Sequence, residues 1–128
     1  MELCLIDTSS WIEALREDGD TAVRQRVAEM LTQGRACLND IILLELWNGA
    51  RGGYERSQLV KLEEGIPILS TDDQVWSKSR ELARLCRSGG VTVPATDLIV
   101  FACAKRHEAA LEYHDEHFEL IERAATKG

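Results

Sequence analysis

The chain has no run of consecutive apolar residues approaching the ~18–20 that a membrane-crossing helix requires, which excludes an integral membrane protein of the helical kind. Its N-terminus, Met1-Glu2-Leu3-Cys4-Leu5-Ile6-Asp7, lacks a basic segment and meets an acid too early for a secretory signal, so a cytoplasmic protein is expected. Repeats, low-complexity tracts and linker-like stretches are also missing. The four cysteines, Cys4, Cys37, Cys86 and Cys103, form no C-x-x-C pair, and each lies within or beside an apolar stretch. They read as buried, reduced hydrophobes, with a zinc site or disulfide framework as the rival reading. Positive charge is scarce as well. A net charge of −7 argues against a broad basic surface for nucleic acid. It leaves room for a nuclease whose acids gather at a metal site.

What is present is a globular composition. An apolar content of 45% beside 29% charged residues suits a packed chain rather than a disordered one. Its 128 residues make one domain, 1–128, large enough to bury a core without disulfides. Short apolar runs alternate with helical patterns, which indicates an α/β fold with a parallel sheet. Leu3–Ile6 reads as a strand covered on both faces, followed by the capping run Asp7-Thr8-Ser9-Ser10 and a helix through Trp11, Ile12 and Leu15. Asp18-Gly19-Asp20 breaks that helix. Val23, Val27, Met30 and Leu31 then share one face of a second, which Gly34 ends.

Ala36–Leu38 is a second strand. Asn39-Asp40 caps a helix from Ile41 to about Arg51, stopped by Gly52-Gly53, and a short helix follows near Ser57–Glu64. Ile66–Leu69 is a weak third strand, placed at an edge by Pro67. Ser70-Thr71-Asp72 caps a helix carrying Val75, Leu82, Ala83 and Cys86 on one face, closed by Gly89-Gly90. Pro94-Ala95-Thr96-Asp97 opens a very apolar helix from Leu98 to Ala104. Two closing strands are expected at Ala110–Tyr113 and Phe118–Ile121, with His114–His117 between them. In such a sheet, ligands bind beyond the carboxyl ends of the strands where the strand order reverses.

Four acids stand out, each with a structural alternative. Asp7 follows a buried strand, as a functional acid would, but also suits a helix N-cap. Glu45 interrupts the apolar run Ile41–Trp47, where an unpaired carboxylate is costly; a salt bridge or a wet stripe would explain it equally. Asp97 heads an apolar helix and has the helix dipole as an alternative. Asp115 lies in a polar loop, where aspartates are common. If all four converged at one rim of the sheet, their repulsion would call for cations. Hard divalent ions, Mg²⁺ or Mn²⁺, prefer such oxygen ligands, and the chemistry they support is phosphodiester hydrolysis.

Four segments in order along the chain resemble the blocks of PIN-domain ribonucleases, and more narrowly VapC-type toxins. These are Leu5-Ile6-Asp7-Thr8-Ser9; Ile42-Leu43-Leu44-Glu45-Leu46-Trp47-Asn48-Gly49-Ala50-Arg51; Val93-Pro94-Ala95-Thr96-Asp97-Leu98-Ile99-Val100; and His114-Asp115-Glu116-His117-Phe118-Glu119-Leu120-Ile121. The resemblance implies a three-layer α/β/α sandwich around a central, mostly parallel sheet of about five strands. It implies Asp7, Glu45, Asp97 and Asp115 as catalytic, metal-binding carboxylates, with Ser9 supporting the metal or water network, and Mg²⁺ or Mn²⁺ as cofactor. It further implies an endoribonuclease acting as the toxin of a toxin–antitoxin pair, with an RNA substrate, a cognate VapB-type antitoxin and a homodimer. One departure is Phe101, four residues after Asp97, where some PIN domains carry another acid.

Arg51, Arg56, Lys105 and Arg106 are candidate phosphate contacts, with solvated surface roles as the alternative. Trp47 offers a stacking surface or core packing. His107, His114 and His117 read as surface or structural residues, and Asp40, Asp72, Asp73 and Glu116 as caps or solvent-facing acids. A receiver domain would need a lysine after the fifth strand, and a haloacid-dehalogenase-like phosphatase needs Asp-x-Asp where this chain has Asp7-Thr8-Ser9. The rival from another class is a PIN-fold binding or scaffold module that keeps the site but does not use it.

Overall fold

A computed structural model describes residues 2–127 of the chain. Its elements run β1 (Cys4–Ile6), α1 (Thr8–Leu15), α2 (Thr21–Thr32), β2 (Ala36–Asn39), α3 (Asp40–Gly49), α4 (Gly52–Gly65), β3 (Ile68–Leu69), α5 (Asp73–Ser88), α6 (Ala95–Arg106), β4 (Ala110–Glu112) and α7 (His117–Lys127). The strands form a sheet in the order β3-β2-β1-β4, with every pairing parallel. The short, unbroken apolar runs of β1 and β2 are buried along their whole length, as strands covered on both faces must be.

The first two crossovers step in one direction, from β1 to β2 to β3. The third returns past both to place β4 on the far side of β1. The right-handed rule for parallel crossovers expects the helices before β3 on one face and those after it on the other. Helix α1 lies against α2 and α3, and α5, α6 and α7 pack on one another, while α3 also touches α6. The core between these layers includes Leu5, Ile6, Trp11, Leu38, Ile42, Leu82, Val100, Phe118 and Ile121. All four cysteines are buried free thiols; burial pushes Cys4 up to about 11 and Cys37 up to about 12. Among the described residues no helix is long and apolar enough to cross a membrane.

Capping chemistry places most boundaries. The carboxylates of Asp20 and Asp72 accept the amides of Val23 and Val75 at 3.0 Å, and Asn39 accepts that of Ile42 at 2.9 Å. The weak third strand is indeed an edge, and it is only two residues long.

Four expectations are corrected. The sheet has four strands among the described residues, not about five. The segment Phe118–Ile121 belongs to α7, whose buried residues Phe118, Ile121 and Ala124 recur at helical rather than alternating spacing. Gly52-Gly53 does not stop the preceding helix, which ends at Gly49; the pair opens α4 five residues ahead of the expected Ser57. Gly52 has φ +86°, a left-handed conformation that glycine adopts without a Cβ clash, so the chain turns there and re-enters a helix at once. Finally, Ala83 faces solvent, and Ser79 joins Val75, Leu82 and Cys86 on the buried face of α5.

Candidate active site

Sheet order reverses at β1: its first crossover leads to β2 on one side, and β4 returns on the other. The carboxyl ends of β1 and β4 are therefore adjacent, and the polar side chains that follow them meet. Asp7 comes directly after β1. Its backbone N–H donates to the carbonyl of Glu112, the last residue of β4, at 2.9 Å. It also caps α1: its Oδ2 accepts the Ser9 amide at 3.1 Å and the Ser9 hydroxyl at 2.7 Å. Its other oxygen, Oδ1, is buried without a hydrogen-bond partner, and the residue is 2% exposed. A cap explains one oxygen of Asp7 and leaves the second unexplained. Burial is the main cause that raises its pKa; the two Ser9 donors oppose this, and the charge of Asp115 adds to it.

Asp97 lies in the first turn of α6 and is 8% exposed. Burial, then the charges of Asp115 and Asp7, push its carboxyl up to about 6, against a partial offset from His117. The Asp97 Oδ2 stands 2.8 Å from the His117 Nδ1. Asp115, in the β4–α7 loop, accepts the backbone N–H of His117 at 3.0 Å, and its Oδ1 lies 3.6 Å from the same Nδ1. One donor atom from each of Asp97, Asp115 and His117 lies within 4.8 Å of the others.

The loop itself is pinned at both ends. The Ser9 hydroxyl accepts the His114 amide at 3.0 Å, and the rings of Tyr113 and Phe118 pack with centroids 5.2 Å apart. Ser9 thus links Asp7 to the loop that carries Asp115.

Glu45 sits apart from this group. Half-buried on α3, its Oε1 accepts the hydroxyl of Thr8 at 2.8 Å. Thr8 is the residue after Asp7, so Glu45 is held at the same rim of the sheet on the α1 side. Beside it, α1, α3 and α4 enclose a groove of about 350 Å³ lined by Ile12, Leu15, Leu46, Arg51 and Tyr54 among others.

The remaining candidates separate by position. Arg51 lines the groove next to Glu45, and Arg56 lies exposed on α4. Lys105 and Arg106 lie eight and nine residues along α6 from Asp97, an axial distance of roughly 12–14 Å. Lys105 faces Glu122 and Arg106 pairs with Asp72. Trp47 packs against the core and donates its indole N–H to Glu63. His107 caps the end of α6, its Nε2 donating to the carbonyl of Ser70 at 2.8 Å. Asp72 caps α5, as expected.

Three residues of the rim escaped the sequence reading. Thr8 holds Glu45. His117 meets two of the acids, and its only sequence signal was its spacing within His114–His117. Glu112 is a nearly buried acid at the end of an apolar strand. Its carboxylate accepts the Ser10 hydroxyl at 2.8 Å and the Arg26 guanidinium at 2.8 and 3.2 Å, which ties α1 and α2 to β4.

Comparison with known proteins agrees with this arrangement. Residues 4–124 match the family model of the PIN domain. Ribonuclease VapC11 of Mycobacterium tuberculosis is 32% identical over 126 residues, covering 94% of this chain and 92% of the relative. Among solved structures, FitAcB from Neisseria gonorrhoeae superposes with a TM-score of 0.74 at 20% identity over 94% of both chains. VapBC-1 from nontypeable Haemophilus influenzae gives 0.75 at 22% identity over 94% of this chain and 93% of the other. The parallel sheet with acids at its switch point, the family match along nearly the whole chain and the identity to a VapC ribonuclease agree: the chain belongs to the PIN-domain family, on its VapC branch.

Proposed function

We propose that the chain is a divalent-cation-dependent endoribonuclease, the toxin of a toxin–antitoxin pair, working in the cytoplasm with Asp7, Glu45, Asp97 and Asp115 as its cation-holding carboxylates. The observation that carries this reading is the buried, unpartnered Oδ1 of Asp7 together with Asp97, whose carboxyl is raised by burial and then by the charges of Asp115 and Asp7. Buried acids are ordinarily paired or bound to a cation. Oxygen donors of this kind suit Mg²⁺ or Mn²⁺, which, when bound, supply Lewis acidity for the attack of water on a phosphodiester.

The chain's own residues do the positioning. Ser9 orients Asp7 through two hydrogen bonds and ties the Asp115 loop to it. Thr8 fixes Glu45. Arg51, at the groove beside Glu45 and just ahead of α4, and Arg56, exposed on α4, are the proposed contacts for RNA phosphates. Lys105 and Arg106, one helix length away and engaged with acids, serve at most a distal stretch of substrate.

The relatives support the biological context. VapC11 is named a ribonuclease, and the structurally similar VapBC-5 from Mycobacterium tuberculosis is named a member of the VapBC family of toxin-antitoxin systems. A VapB-type antitoxin is the proposed partner of this chain. The groove between α1 and α3–α4, with Ile12, Leu15 and Tyr54 exposed along it, offers that partner an apolar seat next to Glu45. A homodimer of the toxin is part of the same reading.

The test is cleavage of single-stranded or loop RNA by purified protein. Activity is expected with Mg²⁺ or Mn²⁺ and is lost with EDTA. The products carry 5′-phosphate and 3′-hydroxyl ends, because water rather than the RNA 2′-hydroxyl attacks phosphorus. Asp7→Asn reduces the rate by on the order of 100-fold or more, since removing a cation-holding charge costs several kcal/mol in the transition state. Cleavage that survives EDTA, or 2′,3′-cyclic phosphate ends, refutes the mechanism. Folded protein without activity on any RNA establishes the scaffold alternative.

A further inference from the structure

We infer that His117 is a nitrogen ligand of the divalent cation at this rim and that, beside Asp97 and Asp115, it makes the site select Mn²⁺ over Mg²⁺. The inference rests on the proposed cation site and adds to it a residue outside the four carboxylates. His117 is the first residue of α7, and its backbone N–H is fixed by Asp115, so its ring is delivered to the rim by the same loop that delivers that acid.

Its Nδ1 lies 2.8 Å from the Asp97 Oδ2 and 3.6 Å from the Asp115 Oδ1. Adjacent ligands around a six-coordinate ion with bonds of ~2.1 Å stand about 3 Å apart. Measured from Nδ1, the Asp97 oxygen lies at the spacing of a neighbouring ligand and the Asp115 oxygen slightly beyond it, all three donors falling within 4.8 Å of one another, and Nδ1 and Oδ2 are close enough to share either a proton or a cation. A cluster of acids alone would not mark a site. The second observation is the Asp7 Oδ1, fully buried and unpartnered in the residue whose charge acts on Asp97.

Ligand chemistry then decides the ion. Mg²⁺ and Mn²⁺ both accept carboxylates, but Mg²⁺ demands oxygen and keeps much of its water, whereas Mn²⁺, the hardest of the first-row transition ions, still accepts a nitrogen more readily than Mg²⁺ does. A site of several carboxylates and one imidazole therefore gains affinity for Mn²⁺ from its nitrogen and gains little for Mg²⁺.

Pulsed EPR on the full chain loaded with Mn²⁺ tests this directly, with free Mn²⁺ counted by continuous-wave EPR and Mg²⁺ affinity read by competition. Wild type is expected to show the ¹⁴N coupling of a directly bonded imidazole, and His117→Gln to lack it. The same substitution is expected to weaken Mn²⁺ by ~10-fold or more while moving Mg²⁺ by less than about twofold. The wild-type spectrum decides the matter even if the variant folds poorly. Bound Mn²⁺ without directly bonded nitrogen overturns the role of His117 and leaves the carboxylate site standing. An equal loss of Mn²⁺ and Mg²⁺ affinity overturns the selectivity. Failure of wild type to bind Mn²⁺ at all refutes the underlying cation site instead.

Discussion

Replacing Asp97 by asparagine should stabilise the cation-free protein, and the size of the effect follows from the site. The Asp97 carboxyl is pushed from 3.8 to about 6, chiefly by burial and then by Asp115 and Asp7. Two pH units correspond to about 3 kcal/mol of unfavourable free energy for the ionised form. Asparagine removes that charge at nearly constant volume and still accepts a hydrogen bond from His117. The favourable contact of His117 with the ionised form is already contained in that value. The net gain is therefore about 3 kcal/mol, or about 10 °C in Tm for a domain of this size.

The sign depends on pH. The folded pKa exceeds the unfolded one, so between them the native state holds a proton that the unfolded chain has released. Wild-type stability therefore falls as pH rises from 3.8 to about 6, and the penalty is complete above that. The advantage of Asp97→Asn should be full at pH 8 in EDTA and should vanish near pH 4. Mg²⁺ or Mn²⁺ at about 1,000 times its Kd should reverse the order, because it stabilises wild type by about 4.1 kcal/mol and the variant much less. Thermal melts followed by circular dichroism across this grid provide the assay. If Asp97→Asn melts at or below wild type at pH 8 without cation, and the two curves do not converge on acidification, then Asp97 carries no such strain and is simply a first-turn acid stabilising α6.

Other consequences follow from the same geometry. Glu112→Ala strands the buried Ser10 hydroxyl and frees Arg26, and because Arg26 is half-exposed the cost should fall at the low end for a broken buried pair, about 3 kcal/mol by urea denaturation; a change under ~0.5 kcal/mol would show that α1 and α2 do not depend on it. Thr8→Val removes the donor that holds Glu45 and should slow RNA cleavage severalfold while costing about 1 kcal/mol or less of stability; unaltered kinetics would separate Glu45 from the reaction. Burial raises all four thiols, so a thiol reagent at pH 8 should modify native protein slowly and all four cysteines at once in denaturant, whereas rapid native modification would contradict the packing.

Much of the fold was legible along the chain. Local signals are contained in a few neighbouring residues, and those held: the apolar runs of β1 and β2, the caps at Asn39 and Asp72, the edge position of the strand beside Pro67. The errors arose where a short segment fits two periods. Four residues, Phe118–Ile121, satisfy an apolar strand as readily as one helical turn, and only the continuation of burial to Ala124 against α5 and α6 settles it as α7. Gly52-Gly53 likewise carries the same composition whether it ends a helix or begins one, and the positive φ of Gly52 decides.

The acids themselves were identifiable, because a carboxylate after a buried strand or within an apolar helix demands an explanation wherever it appears. Their meeting was not. Asp7 and Asp97 lie ninety residues apart, and each has a local excuse as a helix-terminal acid. The strand order sets β4 beside β1, so that Asp115 in the β4–α7 loop and His117 at the head of α7 meet Asp97, and the loop is tied to Asp7 through Ser9. Sequence determines which groups are expensive to bury, since that cost belongs to the side chain. Tertiary structure alone determines which of them share a site, since Coulomb repulsion and ligand spacing depend on distances that only the folded sheet establishes.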